Sequence, residues 1–396
     1  MQKQLMALLG ASVIIGLIFV GTPAKTEAAT RFDWYVNTNA RQYGDNKSCS
    51  NPEDTDLQDV LNMASEGDTI MVCAGRYYGP FYTNNESITL VGQGAKKTII
   101  DGNEDGDPAI VVGFEGCGSF CTGDLSIEAL TITNGWADGD VWPNGGAVWA
   151  DDFSCRNSVI SYSWADGSGG AVDADTVTSY GCTYKYNGAD VDGGAIMVYD
   201  WIDSTRDIFT NNQSGDDGGA VEIDDSGYDS AFDKATFTDN TACEDYYSEC
   251  DEHSAWGGGG AISSPNGESY LYISSSTFTS NSSSADGGAI KANYVRITKS
   301  RFVDNYANNN GGAVSARDNL DLYSVTFTGN YAEGIGGALH TYGSLYMAGT
   351  KLSGNIGDDA YDGGFVEDYA VFWKGNSNNL LVSQSQFIYV CENVCD

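Results

Sequence analysis

The sequence predicts an all-β solenoid, a parallel β-helix with one short capping helix, and two recurring patterns carry that reading. A glycine pair begins at Gly145, Gly169, Gly193, Gly218, Gly259, Gly287, Gly311, Gly336 and Gly363, with a base period of 24 to 25 residues, one large insertion and two small ones. Six residues before most of these pairs stands an asparagine, at Asn187, Asn212, Asn281, Asn305 and Asn330. Three residues before each asparagine is a large apolar side chain, Tyr184, Phe209, Phe278, Phe302 and Phe327. Phe237 with Asn240, and Leu352 with Asn355, keep the pair at a longer distance from the glycines.

A unit of this length cannot bury a core by itself, whereas stacked units can. It holds about three short strands and their turns, one coil of a β-helix. Coils stack at the strand spacing of roughly 4.8 Å, so equivalent residues form columns. The phenylalanines are then expected as an internal stack of rings and the asparagines as an amide ladder at a turn. The glycine pair permits a sharp bend against a close neighbour. Asn212 and Asn281 begin glycosylation sequons, but their place in the ladder makes them inaccessible.

The ends follow. Residues 1–29 read as a secretory signal peptide: Lys3, an apolar run from Leu5 to Val20, then Ala24, Ala28 and Ala29. The run is shorter than the ~20 residues of a bilayer span, so no membrane segment is expected after cleavage, and the product is expected to be extracellular. Residues 30–125 are expected to hold an N-terminal cap and the first coils. Within them DTDLQDVLNMASE (54–66) places Leu57, Val60, Leu61 and Ala64 on one helical face. The repeat coils occupy 126–372, and LLVSQSQFIYV begins a C-terminal cap within 373–396.

The ten cysteines of an exported chain predict disulfides. Proximity in sequence pairs Cys49 with Cys73, Cys117 with Cys121, Cys155 with Cys182, Cys243 with Cys250, and Cys391 with Cys395. Zinc is disfavoured, because no CxxC occurs and His253 and His340 are the two histidines. A net charge of −36 repels phosphate backbones and argues against nucleic acid.

The motifs GGA[ILV] and FxxN resemble those of chlamydial-type polymorphic outer membrane protein repeats, over about residues 130–370. The stretch DLQDVLNMASEGDTIMVCAGRYYG…ITLVGQGAKKTIIDG (56–102) is similar to the start of many pectin-lyase-like β-helices. Together these resemblances imply a right-handed parallel β-helix. They fix no function, since this architecture hosts adhesins, lyases, hydrolases and tailspikes. Nothing after the repeats resembles a translocating barrel, so autotransport is not expected.

Chemistry is sought on the strand after each glycine pair. With Val172, Ile196, Val221, Ile262, Ile290, Val314 and Leu339 inside, alternation turns the next residue to solvent. That column reads Trp149, Asp173, Met197, Glu222, Ser263, Lys291, Ser315 and His340. Two residues further it reads Asp151, Asp175, Tyr199, Asp224, Pro265, Asn293, Arg317 and Tyr342. An acidic end thus passes into a basic end with aromatic residues between.

One reading of this wall is a calcium-assisted polysaccharide lyase. Ca²⁺ would sit on Glu222 and Asp224, with Asp173 and Asp175 in the same acidic band, and Lys291 or Arg317 would be the base. Glu222 and Lys291 stand two rungs apart, roughly 10 Å along the stack. The other reading is a non-catalytic protein that recognises an extracellular glycan or cell-surface component through Trp149, Tyr199 and Tyr342. The insertion CEDYYSECDEHSAW (243–256) would add Tyr246, Tyr247 and Trp256. Mixed charge on an exposed strand also serves solubility, and the non-catalytic reading is preferred. Polygalacturonase-type hydrolysis lacks its Gly-His-Gly segment, and the Thr-Phe-Thr columns that suggest ice binding are interrupted by Lys185, Arg301 and Lys351.

Overall fold

The computed structural model describes residues 32–40, 48–84, 87–104, 106–113, 123–138, 143–224, 227–242, 258–267 and 269–357, with the strands Val371–Lys374, Leu380–Ser383 and Tyr389–Cys391. All lie in one compact unit that begins at Phe32. The expected signal peptide, the pair Cys117–Cys121, Cys243, Cys250 and Cys395, Gly363, and the insertion residues Tyr246, Tyr247 and Trp256 lie outside the described residues.

The fold is a parallel β-helix of three sheets, with 21, 11 and 9 strands among the described residues. One coil runs through Val314–Tyr323, Thr326–Thr328 and Tyr331–Ala332 before the next glycine turn. Each strand pairs in parallel with its equivalent one coil away: Phe302 opposes Phe327, and Tyr306 opposes Tyr331. The long first strand bends within itself, where the register between neighbours slips at Ala174/Thr176 and at Ala292/Tyr294.

The expected columns are present. Tyr184, Phe209, Phe237, Phe278, Phe302 and Phe327 are fully buried, and their successive ring centroids lie 4.6 to 4.9 Å apart, nearly parallel. Stacked rings at the strand spacing pack the inner volume, which is where large apolar side chains contribute most. The asparagine ladder runs from Asn187 to Asn355. From Asn212 on, each amide oxygen accepts from the backbone N–H and side-chain amide of the preceding rung's asparagine, as Asn281 does from Asn240 at 3.1 and 2.9 Å, while Asn187 accepts from the Ser163 N–H. The amide nitrogen also donates back to the carbonyl of the phenylalanine column, Asn281 to Phe237 at 3.2 Å. A buried corner thereby pairs its polar groups within itself. The residue just before each asparagine takes a left-handed conformation even where it is not glycine, as at Ser280 (φ 53°) and Asp304 (φ 52°).

The two glycines of each turn have different jobs. Gly218 has φ 59°, the left-handed region. A Cβ on Gly219 would sit 2.2 Å from the Gly260 carbonyl oxygen of the next coil, so no side chain fits.

The helix is Leu57–Met63, slightly shorter than the 54–66 window. It buries Leu57, Val60 and Leu61 and is capped by the Asp56 side chain, which accepts from the Gln58 N–H. Gln58 also brackets Tyr82, donating to its carbonyl and accepting from its N–H, which fixes the helix to the first coils. Cys49 is bonded to Cys73, and Cys155 to Cys182, as proximity in sequence predicts. The stack continues across the expected boundary at 125, Ser87–Gly92 pairing with Asp124–Glu128 and this with Asp152–Arg156. Leu380–Ser383 likewise pairs with Ser344–Ala348 as a further rung. Among the described residues, no helix is long and apolar enough to cross a membrane.

Candidate functional site

The column after the glycine turn has the predicted register: Trp149 opposes Asp173, then Met197, Glu222, Ser263, Lys291, Ser315 and His340 follow in line. Its expected exposure is corrected. Asp173, Met197, Glu222, Ser263, Ser315 and His340 are all buried, and Trp149 and Lys291 are half-buried. The cause is the turn. A Cβ on Gly218 would lie 2.3 Å from the Val221 carbonyl oxygen and 2.8 Å from the Glu222 nitrogen, so the chain folds back over the start of the strand. Simple alternation assumes a flat strand with open solvent beyond it. Here the column is the floor of a groove. The residues before the glycines flank it on one side, and Asp175, Tyr199, Asp224, Arg317 and Tyr342, two residues further along the strand, flank it on the other.

At the acidic end the band of candidate metal ligands is split: Glu222 and Asp224 stand on one coil, Asp173 and Asp175 two coils away. Met197 separates Asp173 from Glu222, and Tyr199 lies between Asp175 and Asp224 along the wall. Asp173 accepts from the Tyr199 hydroxyl at 3.1 Å and from Trp149, so these two aromatic residues serve the carboxyl as donors. Burial pushes its pKa up to about 7. Asp224 is exposed and accepts from the Asn266 amide at 3.0 Å.

A different acidic group does converge. Asp192, Asp216 and Asp217, from the turns of two adjacent coils, bring carboxylate oxygens within 4.8 Å of one another. Burial raises Asp217 to about 7 and Asp192 to about 6, and it holds Glu222 well above the ordinary carboxylate range, helped by the charges of Asp217 and Asp192. Strand alternation points to the residues after the glycines, whereas these aspartates precede them. The signal was present in the text of the repeats: the residue before the pair is polar at Asn144, Ser168, Asp192, Asp217, Asp286, Asn310 and Asp362, and apolar or glycine only at Gly258 and Ile335.

At the basic end Lys291 and Arg317 share one site. They line a cleft of about 340 Å³ with Asp286, Asn293, Ser315 and Tyr342. Tyr342 is 55 % exposed at its lip, and its ring meets His340 edge-on with centroids 4.6 Å apart. His340 Nδ1 lies 3.1 Å from the Ser315 hydroxyl, and burial lowers its pKa to about 4, so the ring is neutral near pH 7. Lys291 is also lowered by burial, opposed by the charges of Asp217, Asp286 and Glu222. Its stem leans back over the previous coil, and a Cβ on Gly258 would lie 3.0 Å from Lys291 Cδ. The cationic end of the groove therefore reaches the acidic end across the rung between them.

A family model, the Chlamydia polymorphic membrane protein repeat, matches residues 275–293 and 324–342. These windows contain Lys291 and Asn293 in one coil, His340 and Tyr342 in another, with Arg317 on the coil between. No curated protein and no solved structure matches the chain significantly.

Proposed function

A parallel β-helix whose coils carry Chlamydia-type polymorphic membrane protein repeats is the premise from which we propose an extracellular surface protein that holds a glycan, without chemistry, in the cleft between Lys291 and Tyr342. The repeat type fits a surface or adhesin-type protein. The observation that carries the glycan reading is the composition of that cleft: one exposed aromatic face beside two cations, one carboxylate, an amide and a hydroxyl. Sugar rings offer apolar C–H faces to an aromatic ring and hydroxyls to polar edges, and recognition sites combine such groups in concave surfaces. Lys291 and Arg317 favour a sugar that bears a carboxylate, against the negative field of the rest of the chain. A glycan array with and without Ca²⁺, repeated with Tyr342→Ala and Arg317→Ala, tests this. Binding of uronate-containing glycans that both variants weaken is expected. No binding to any glycan, or binding indifferent to both variants, contradicts it.

The lowered pKa of Lys291 beside Arg317 favours a second reading, a polysaccharide lyase. Arg317 would neutralise a uronate carboxylate and Lys291 would take the proton from the adjacent carbon, as a C=C bond forms, the glycosidic C–O bond breaks and the leaving oxygen takes a proton from water. Unsaturated products absorbing in the ultraviolet would distinguish it from the binder.

A further inference from the structure

We propose that Asp192, Asp216 and Asp217, with Glu222 beneath them, form a calcium-binding site at the glycine corner of two adjacent coils. The first observation is geometric: oxygens of the three aspartates lie within 4.8 Å of one another, the span of ligands around a single ion. The second is a buried carboxylate. Glu222 is 4 % exposed, and its Oε2 has no hydrogen-bond partner. The charges it interacts with most strongly are those of Asp217 and Asp192, so it faces the same space. Asp217 Oδ1 is also buried without a partner. A buried carboxylate oxygen in that condition is met by a proton, in line with the raised pKa of Glu222, or by a cation that displaces the proton on binding.

The repeat pattern argues in the same direction. In the column before the glycines, side-chain oxygens accept the backbone N–H of the next coil: Asn144 from Ser168, Ser168 from Asp192, Asp192 from Asp217, and Asn310 from Ile335. Neutral serine and asparagine perform that task at 144, 168 and 310, as the single carboxylate of Asp286 does on its own rung. Carboxylates at 192 and 217 therefore add charge that the ladder does not need, and they add it one strand spacing apart, where like charges repel. Lys291 contributes a single positive charge against four carboxylates. The donors are all hard oxygens, which excludes a soft-ligand site. Their irregular arrangement across two turns suits the flexible coordination of Ca²⁺ better than the octahedron that Mg²⁺ demands.

The test is terbium luminescence and calorimetric titration of the full chain with Ca²⁺ alone, after chelator treatment. The chain is so acidic that diffuse binding forms the background, so the comparison is among variants. One saturable site is expected, displaced by Ca²⁺ in preference to Mg²⁺. It should weaken by at least about tenfold in Asp217→Asn and in Asp192→Asn and persist in Asp151→Asn. Asparagine keeps the ladder acceptor, so both variants should fold, and Ca²⁺ should raise the melting temperature of the wild type and Asp151→Asn but not of the other two. Diffuse binding only, or wild-type affinity in both Asp217→Asn and Asp192→Asn, overturns the site.

Discussion

The two corners of each coil are built on opposite terms. At the asparagine corner, one residue type repeats from Asn187 to Asn355, and each side chain pairs with its neighbours above and below. At the glycine corner, the glycines repeat but the residues around them differ from rung to rung, from Asp173 and Glu222 to Lys291 and His340. Several polar atoms there, Glu222 Oε2 and Asp217 Oδ1 among them, are buried without a protein partner. Both corners have the same register and spacing. Repetition marks what the stack requires of every coil, and variation in a shared column marks what individual coils do.

The largest expected effect is in the repeating core. Phe278→Ala opens a cavity between two stacked rings at 4.6 and 4.7 Å and should cost about 3–5 kcal/mol in denaturant unfolding. Arg317→Ala, exposed on the groove wall, should stay within about 0.5 kcal/mol of the wild type. Equal losses would erase the contrast between the two regions.

Asn281→Ala comes next. It removes an oxygen that accepts two hydrogen bonds from Asn240 and a nitrogen that donates to Phe237 and Asn305, all in a buried corner. A loss of about 3 kcal/mol is expected, because the abandoned partners cannot reach water. A near-neutral change would mean that the ladder follows from stacking and does not support it.

The groove floor should respond to pH instead. Asp173 has a folded pKa of about 7 against an ordinary value of 3.8, so the folded state holds its proton more tightly than the unfolded chain does. Below the unfolded pKa this group makes no difference. As pH rises from about 4 to about 7, the unfolded state releases the proton first, and stability falls. Asp173→Asn mimics the protonated acid at every pH. It should melt a few degrees above the wild type at pH 8 and together with it at pH 3.5. A constant offset across that range would remove the buried carboxyl as the cause.

The smallest effect tests the backbone. Ser280 sits at φ 53° in a turn where the chain uses glycine at Gly329 and Gly354. Ser280→Gly relieves the left-handed strain at some cost in chain entropy, and a gain of up to about 1 kcal/mol is expected. Destabilisation would show that the serine contributes something beyond its dihedral.

Much of this molecule was legible because its fold is periodic. The phenylalanine column, the asparagine ladder, the helix from Leu57 and the bonds Cys49–Cys73 and Cys155–Cys182 follow from spacing, pattern and proximity. The order of side chains along the groove, Trp149 through His340, follows as well. Depth does not. Alternation assigns a side of the strand, but whether that side is open depends on the fold-back of the glycine turn, a matter of three dimensions. Asp173 and Glu222 therefore became buried groups although surface residues were expected. The gathering of Asp192, Asp216 and Asp217 was missed because these residues belong to turns, where no two-residue period guides the eye. Lys291, Arg317 and Tyr342 were found on their coils from sequence, and the cleft that joins them needed the structure.

The most direct measurement is calorimetry of the double variant Arg317→Ala/Tyr342→Ala with a uronate oligosaccharide, alongside its melting temperature. The groove account predicts that binding is lost while the melting temperature stays at the wild-type value. Binding that survives, or binding and stability that fall together, would contradict a division of labour between repeating core and variable groove.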